Sequence, residues 1–309
     1  MDVYELLRSL NERAGAAKRS DAELIPLRWR PKRRPVILVV INEKGGVGKT
    51  ALVNGLAAEM AVAGKRVLVI DLDPRATATN ELDIENAEPY SVNDLLYVDD
   101  DADPVNPVGL AAQAIIDSGP NWPANVHVLA AERALGKRES DQAANMEMRL
   151  RRSLEGVAEE YDLVLIDCPA RPGGKLPVTG VLAGTHAIIP ATLDEDGYIG
   201  TRDAARSLQR SRINAGLPPI EVVGVVRNIV DGRRTGLAVM YDEKFHAEYG
   251  PDSATGIRLI EDVAVPKYVV RQEARSAQVP LSAAGNAIEP MMIRAAYRSI
   301  LNHVSAKAA

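Results

Sequence analysis

Between positions 42 and 50 the chain reads Asn42-Glu43-Lys44-Gly45-Gly46-Val47-Gly48-Lys49-Thr50. Glycines leave backbone N–H groups accessible, and a helix starting at the lysine aims its own free amides the same way, so the run forms a cradle for phosphate oxygens. In that cradle Lys49 would reach the β- and γ-phosphates, and the Thr50 hydroxyl would ligate Mg2+. The usual spacing G-x-x-x-x-G-K-[ST] calls for glycine at position 43, where this chain has Glu43, followed by a second lysine, Lys44. The competing reading, an ordinary strand-to-helix turn, is disfavoured by the strand and helix that flank the run. Carboxylates end two later apolar runs: Asp71 and Asp73 in Leu68-Val69-Ile70-Asp71-Leu72-Asp73-Pro74-Arg75, and Asp167 in Tyr161-Asp162-Leu163-Val164-Leu165-Ile166-Asp167-Cys168-Pro169. Phosphoryl transfer needs positioning and neutralisation of charge, and Asp167 at a buried strand end would hold the water shell of a metal. A carboxylate that merely caps a helix or turn is the alternative for each, strongest for Asp71.

These residues need elements to hold them. Val/Ile/Leu runs at 36–41, 66–73, 126–131, 163–169, 186–191 and 221–228 alternate with helical patterns near 49–63, 91–97, 144–160 and 198–213. Uninterrupted apolar strands between helices imply parallel strands covered on both faces, so the fold class is α/β: a doubly wound, mostly parallel sheet flanked by helices. A helix at 236–250, a strand near 257–264 and a helix at 290–304 complete the domain, which is taken as 36–309. Ahead of it, residues 1–35 form an N-terminal helix, with Val3, Leu6, Leu7 and Leu10 at helical spacing, and a basic arm. The Pro- and Asp-rich stretch 98–107 reads as an exposed loop.

The 309 residues are 46% hydrophobic and 26% charged, which excludes disorder, collagen and coiled coil. The apolar runs are too short to span a bilayer, so no membrane association is expected. Cys168 is the only cysteine, which leaves no disulfide framework and no multi-cysteine metal site within one chain, and a buried, inert thiol is expected there. The start of the chain lacks a basic segment followed by an apolar one, so the expected location is cytoplasmic. A net charge of −5 argues against nucleic acid as a partner until it is resolved along the chain. Residues 1–35 carry nine Lys/Arg against five Asp/Glu, residues 81–104 nine acids and no base, and residues 200–309 fifteen bases against eleven acids. The acidic stretch therefore masks two regions that are each +4.

Three motifs together resemble one family. The run KGGVGKT is similar to the deviant Walker A box of the ParA/MinD ATPases, the D-x-D-P step at Asp71–Pro74 to their D-x-D-P-Q strand end, and LVLIDCP to their Walker B strand. Arg75 stands in place of the family's glutamine. The match runs from about Pro35 to Val304. It implies a P-loop ATPase with ATP and Mg2+ as cofactors. Lys44, Lys49 and Asp73 would be catalytic, Lys44 by crossing a dimer interface to the partner's nucleotide and Asp73 by orienting the attacking water. Gly45, Gly46, Val47, Gly48, Thr50 and Ala51 would complete the phosphate loop with those lysines, and Thr50, Asp73 and Asp167 would serve the metal. Asn228, in Gly224-Val225-Val226-Arg227-Asn228, and Pro266, in Val265-Pro266-Lys267, resemble the family's adenine-binding positions; turn chemistry before Asp231-Gly232 is the alternative for Asn228.

Within the family, a nitrogenase-type reductase needs two cluster cysteines per subunit, which one cysteine cannot supply. A MinD-like protein should end in a basic amphipathic membrane helix, whereas the segment ending at Val304 reads as core packing. The resemblance is greatest to ParA partition proteins, which implies a homodimer with ATP, non-specific DNA on the nucleoid and a ParB-like centromere-binding partner. Positioning of a protein cargo, or a MinD-like spatial role, is the alternative. Phosphate contacts without base readout require basic side chains on one surface, and the candidates are Arg206, Arg210, Arg212, Arg233, Arg234, Lys267, Arg271 and Arg275. A solvated surface or a local ion pair is the alternative for each. The arm with Arg28, Arg30, Lys32, Arg33 and Arg34 would aid dimerisation or DNA contact, or be a tether.

Overall fold

The computed structural model describes residues 2–16, 25–32, 35–85, 89–98, 105–233, 235–285 and 287–309. Among them one sheet contains β1 (Ile37–Val40), β2 (Val67–Asp71), β3 (Ile115–Asp117), β4 (Val126–Leu129), β5 (Leu163–Asp167), β6 (His186–Ala191), β7 (Glu221–Val230) and β8 (Leu259–Pro266). Their order is β3-β4-β2-β5-β1-β6-β7-β8, parallel throughout except where β3 runs antiparallel to β4 at one edge.

Side chains alternate between the faces of a strand, and here both faces are apolar. Ile37 and Val39 of β1 join Ile70, Ile166 and Ile189 beneath α5 (Met146–Ser153), α6 (Lys175–Ala183) and α7 (Glu195–Asn214). Leu38 and Val40 point the other way, with Val69 and Leu165, against α2 (Lys49–Val62) and α10 (Ile288–Lys307). The α2–α10 contact is close because Gly55 sits under the Tyr297 ring: a Cβ there would lie 2.1 Å from Cε2. One turn further along α2, buried Glu59 accepts from Arg294 Nε at 2.6 Å and Arg298 Nε at 2.5 Å.

Some elements differ from expectation. The helical pattern over 144–160 is realised only as α5, because Gly156 takes a left-handed φ of 78° and a short 3-10 turn, Ala158–Glu160, follows. Strand β3 and helix α6 were not foreseen. The described part of the N-terminal extension lies on the same chain. Helix α1 (Val3–Ala16) buries Val3, Leu6 and Leu7 with Val230, Ala264, Met291 and Ala295. Residues 25–32 then run along α10, where Trp29 is buried while Arg28, Arg30 and Lys32 are exposed. Arg33 and Arg34, and positions 99–104 of the expected loop, lie outside the described residues.

Candidate nucleotide site

The C-terminal ends of β1, β2 and β5 meet at the sheet centre, where Asp167 is the register partner of both Val40 and Asp71. Loops leaving such strand ends form the usual ligand crevice of a doubly wound sheet. Gly46 and Gly48 take φ of 82° and 80°, a conformation that strains other residues, and α2 begins directly after them with its first amides free. The Lys49 ammonium donates to the carbonyls of Asn42 and Lys44, each at 3.0 Å. Burial pulls its pKa down, opposed first by the Asp167 charge. Asn42 shapes this turn: its Oδ1 accepts from Lys44 N at 2.8 Å and its Nδ2 donates to Pro190 O at 2.9 Å. The sequence motif does not single out Asn42 for this role; its position directly after the strand is the available signal.

Thr50 Oγ1 donates to Asp167 Oδ2 at 2.6 Å, whereas Asp167 Oδ1 is buried and has no partner among the described residues. Burial, reinforced by the neighbouring Asp71 charge, raises the Asp167 pKa well above the carboxylate range. An orphaned buried oxygen beside a hydroxyl offers free acceptor capacity to an ion or water, and this hard-oxygen pair suits Mg2+. No group of three or more His, Cys, Asp or Glu gathers to hold a metal among the described residues, so the remaining ligands would be phosphate and water.

The other two aspartates have different surroundings. Asp71 is a strut: it accepts from the backbone N–H of Asp73 at 3.0 Å and from both N–H and Oγ1 of Thr79 at 2.9 Å, which fixes α3 (Thr77–Glu81). Burial pushes its pKa up to about 6. Asp73 faces the crevice and is clasped by Arg75, whose Nη2 lies 2.9 Å from Oδ2. Cys168 is buried and its thiol pKa is driven upward by desolvation.

A cavity of about 400 Å³ extends from the loop, past Asp73, to Asn228, Pro266 and Tyr268. Asn228 lies within β7 and not in a turn; its Nδ2 donates to Val47 O at 2.7 Å, which ties the phosphate loop to the far wall. Next to it Ile229 holds a φ of 55°, a strained value for a β-branched residue and one that concentrates at ligand sites. Lys44 behaves unlike Lys49: its side chain is 41% exposed and pairs with Asp196 at the start of α7, which holds its pKa above the ordinary lysine value.

A family model described as an AAA domain matches residues 36–212. Over 248 residues the chain is 31% identical to the sporulation initiation inhibitor protein Soj of Bacillus subtilis, covering 78% of this chain and 92% of Soj. The chain belongs to the ParA/MinD family of ATPases. It is also 29% identical to the chromosome partitioning protein ParA of Caulobacter vibrioides, over 79% of this chain and 85% of that one. In fold it resembles an ATP complex of a McdA variant from Cyanothece, with a TM-score of 0.70 at 18% identity over 87% and 95% of the two chains. The cell division ATPase MinD of Pyrococcus furiosus follows at 0.61 and 16%, over 88% and 98%.

For a ParA/MinD member the basic surface must be revised. Arg212 is buried and caps the C-terminal end of α6: it donates to Gly184 O at 3.0 Å, to Val181 O and Leu182 O at 3.3 Å, and to Pro218 O at 2.8 Å. It is therefore removed from the DNA candidates. Arg271 is also corrected: it lines the cavity and is held by Glu81 at 2.7 Å. Arg275 shares its face of α9 (Val269–Ser276) and pairs with Glu81 at 3.1 Å, but remains 57% exposed. Glu81, the first residue of the acidic stretch 81–104, is buried and joins both arginines with Asn54. Arg206, Arg210, Arg233 and Lys267 are exposed, although Arg206 pairs with Asp203 at 3.8 Å and Asp231 is shared by Arg233 at 3.1 Å and Lys267 at 4.0 Å, and Arg234 lies outside the described residues. No described helix is long and apolar enough to cross a membrane.

Proposed function

We propose that the protein is an ATP-hydrolysing DNA partition ATPase that dimerises with ATP between its subunits, binds DNA without sequence preference and responds to a ParB-like partner. The observation that carries this reading is the divergence of the two loop lysines. Lys49 is folded into its own loop, where exchange of the Asn42 and Lys44 carbonyls for phosphate oxygens would need only a short movement of the ammonium. Lys44 projects outward beside exposed Asp196, the orientation a lysine needs to serve the nucleotide of a second subunit. The curated relatives named for chromosome partitioning support the same direction.

The roles follow from the site. The loop amides and Lys49 would bind and neutralise the phosphates. Thr50 and Asp167 would hold Mg2+, which supplies charge neutralisation on the phosphate oxygens. Asp73 would orient the attacking water, whose oxygen bonds to the γ-phosphorus as the bond from that phosphorus to the ADP oxygen breaks, and a water proton passes to the departing phosphate. Asn228, Pro266 and Tyr268 would form the base end of the cavity. DNA contact would rest on Arg206, Arg210, Arg233, Lys267 and Arg275, exposed cations that need no base readout.

The test measures DNA binding by wild-type and Asp73→Ala protein with ATP or ADP across a salt series. The expected result is ATP-dependent binding that weakens steeply with salt and persists longest in Asp73→Ala, which should retain ATP and fail to turn it over. Binding that ignores the nucleotide, or no binding, would refute partition. Full steady-state turnover in Asp73→Ala would refute its water-orienting role.

A further inference from the structure

Arg75 occupies a position where the family resemblance calls for glutamine. Its side chain is 75% exposed, yet it is not loose. Nη2 lies 2.9 Å from Asp73 Oδ2, Nε is 3.3 Å from both carboxylate oxygens, and the Arg75 backbone N–H donates to Oδ1 at 3.0 Å. Asp73 itself has little freedom, with a side chain 9% exposed two residues beyond β2, and it lines the same cavity as Lys49, Thr50 and Arg75. Both oxygens of the one carboxylate positioned to receive a water therefore already carry donors.

We propose that Arg75 is a positioning residue that clasps Asp73 in a resting geometry, and that ATP turnover requires this clasp to open. The proposal rests on the reading of Asp73 given above. A guanidinium presents parallel N–H groups that match two carboxylate oxygens, whereas glutamine at the same position has one amide nitrogen and no charge. While the fork is closed, a water hydrogen must compete with a guanidinium N–H at each oxygen of Asp73. Bound phosphates would offer the guanidinium a rival set of anionic oxygens within the same cavity, so the clasp is biased to open when the site is filled and to close when it empties. The exposure of Arg75 sets the scale, because a solvent-facing ion pair holds back only a modest free energy.

The experiment is steady-state ATP hydrolysis by the full chain, without DNA or partner protein, for wild type, Arg75→Gln, Arg75→Lys and Asp73→Ala. Thermal melts check that each variant is folded. Arg75→Gln should raise kcat by about fivefold, the range an exposed pair can hold back, with KM moved by less than about twofold. Arg75→Lys, which keeps the charge and loses the fork, should fall between wild type and Arg75→Gln. On an Asp73→Ala background, where residual turnover is read by radiolabelled phosphate release, Arg75→Gln should produce no further increase because the clasp has lost its other half. A fall in kcat for Arg75→Gln would show that the guanidinium assists the phosphates directly and would overturn the proposal. An unchanged kcat beside an inactive Asp73→Ala would overturn the clasp alone. Wild-type turnover by Asp73→Ala would instead remove the water-orienting role on which the proposal stands.

Discussion

Helix α2 carries a buried charge cluster at each end, and the two are built on opposite terms. At its N-terminus Lys49 and Thr50 meet Asp167, one of whose oxygens is left without a partner among the described residues. Near its C-terminus Glu59 has each oxygen bonded by a guanidinium from α10. Both clusters carry the desolvation cost of buried charge, but only the one at Glu59 is completed by the chain itself. The contrast separates a structural network from a binding site: the Glu59 network has no bonding capacity to offer, while the Asp167 end is destabilised in a way that an incoming ion or ligand relieves.

Mutations at the two ends should break the protein differently. Glu59→Ala deprives two buried guanidiniums of their shared carboxylate and should cost about 3–5 kcal/mol of stability, read by urea unfolding. A loss below about 1 kcal/mol would mean that the α10 arginines are satisfied without it. Lys49→Ala should leave the unfolding midpoint nearly unchanged and weaken nucleotide binding by about 100-fold, the scale of a lost charge-assisted contact; calorimetric titration with ATP is the check. The third effect is smallest and carries a sign. Because the folded-state pKa of Asp167 is raised by burial, its ionisation penalises the fold increasingly as pH rises above the ordinary carboxylate range. Asp167→Asn removes that penalty, so the stability of the variant relative to wild type should grow from about pH 4 towards neutrality. A difference that stays flat with pH would show that Asp167 is not held as an uncompensated buried carboxylate.

The parts legible from sequence were those dictated by local chemistry. Glycines at 46 and 48, a lysine and threonine after them, and aspartates closing apolar strands specify a cradle almost independently of the remaining chain. Asn228 lines the same cavity as the loop, but its bond to the Val47 carbonyl depends on how β7 lies against the loop, which no local pattern encodes. The arginines were harder still. Arg212 and Arg271 share the helical spacing of the exposed cations, and only tertiary packing turned one onto the carbonyls ending α6 and the other onto Glu81. Helix α6 escaped notice because Pro177 and Gly180 obscure its period, although proline is tolerated in a first helical turn and Gly180 packs against Cys168. Strand β3 is three residues long and half exposed, too short to present an alternation.

The strap that precedes β1 has a consequence for how the molecule is made. Arg28 N, Arg30 N and Lys32 N bond to Asn302 Oδ1, Ser305 Oγ and Ala308 O at 2.6, 2.8 and 2.8 Å. Helix α1 likewise finds its apolar neighbours on α10 and on β7 and β8. During synthesis at roughly 5–20 residues per second, these early segments must therefore wait many seconds before their partners leave the ribosome. Their apolar side chains stay uncovered for that interval, and the core around the central strands must form without them. Closure of the two ends is then a late event of high sequence separation, and the nascent chain rather than the finished protein is where this segment is most exposed to chaperones and proteases.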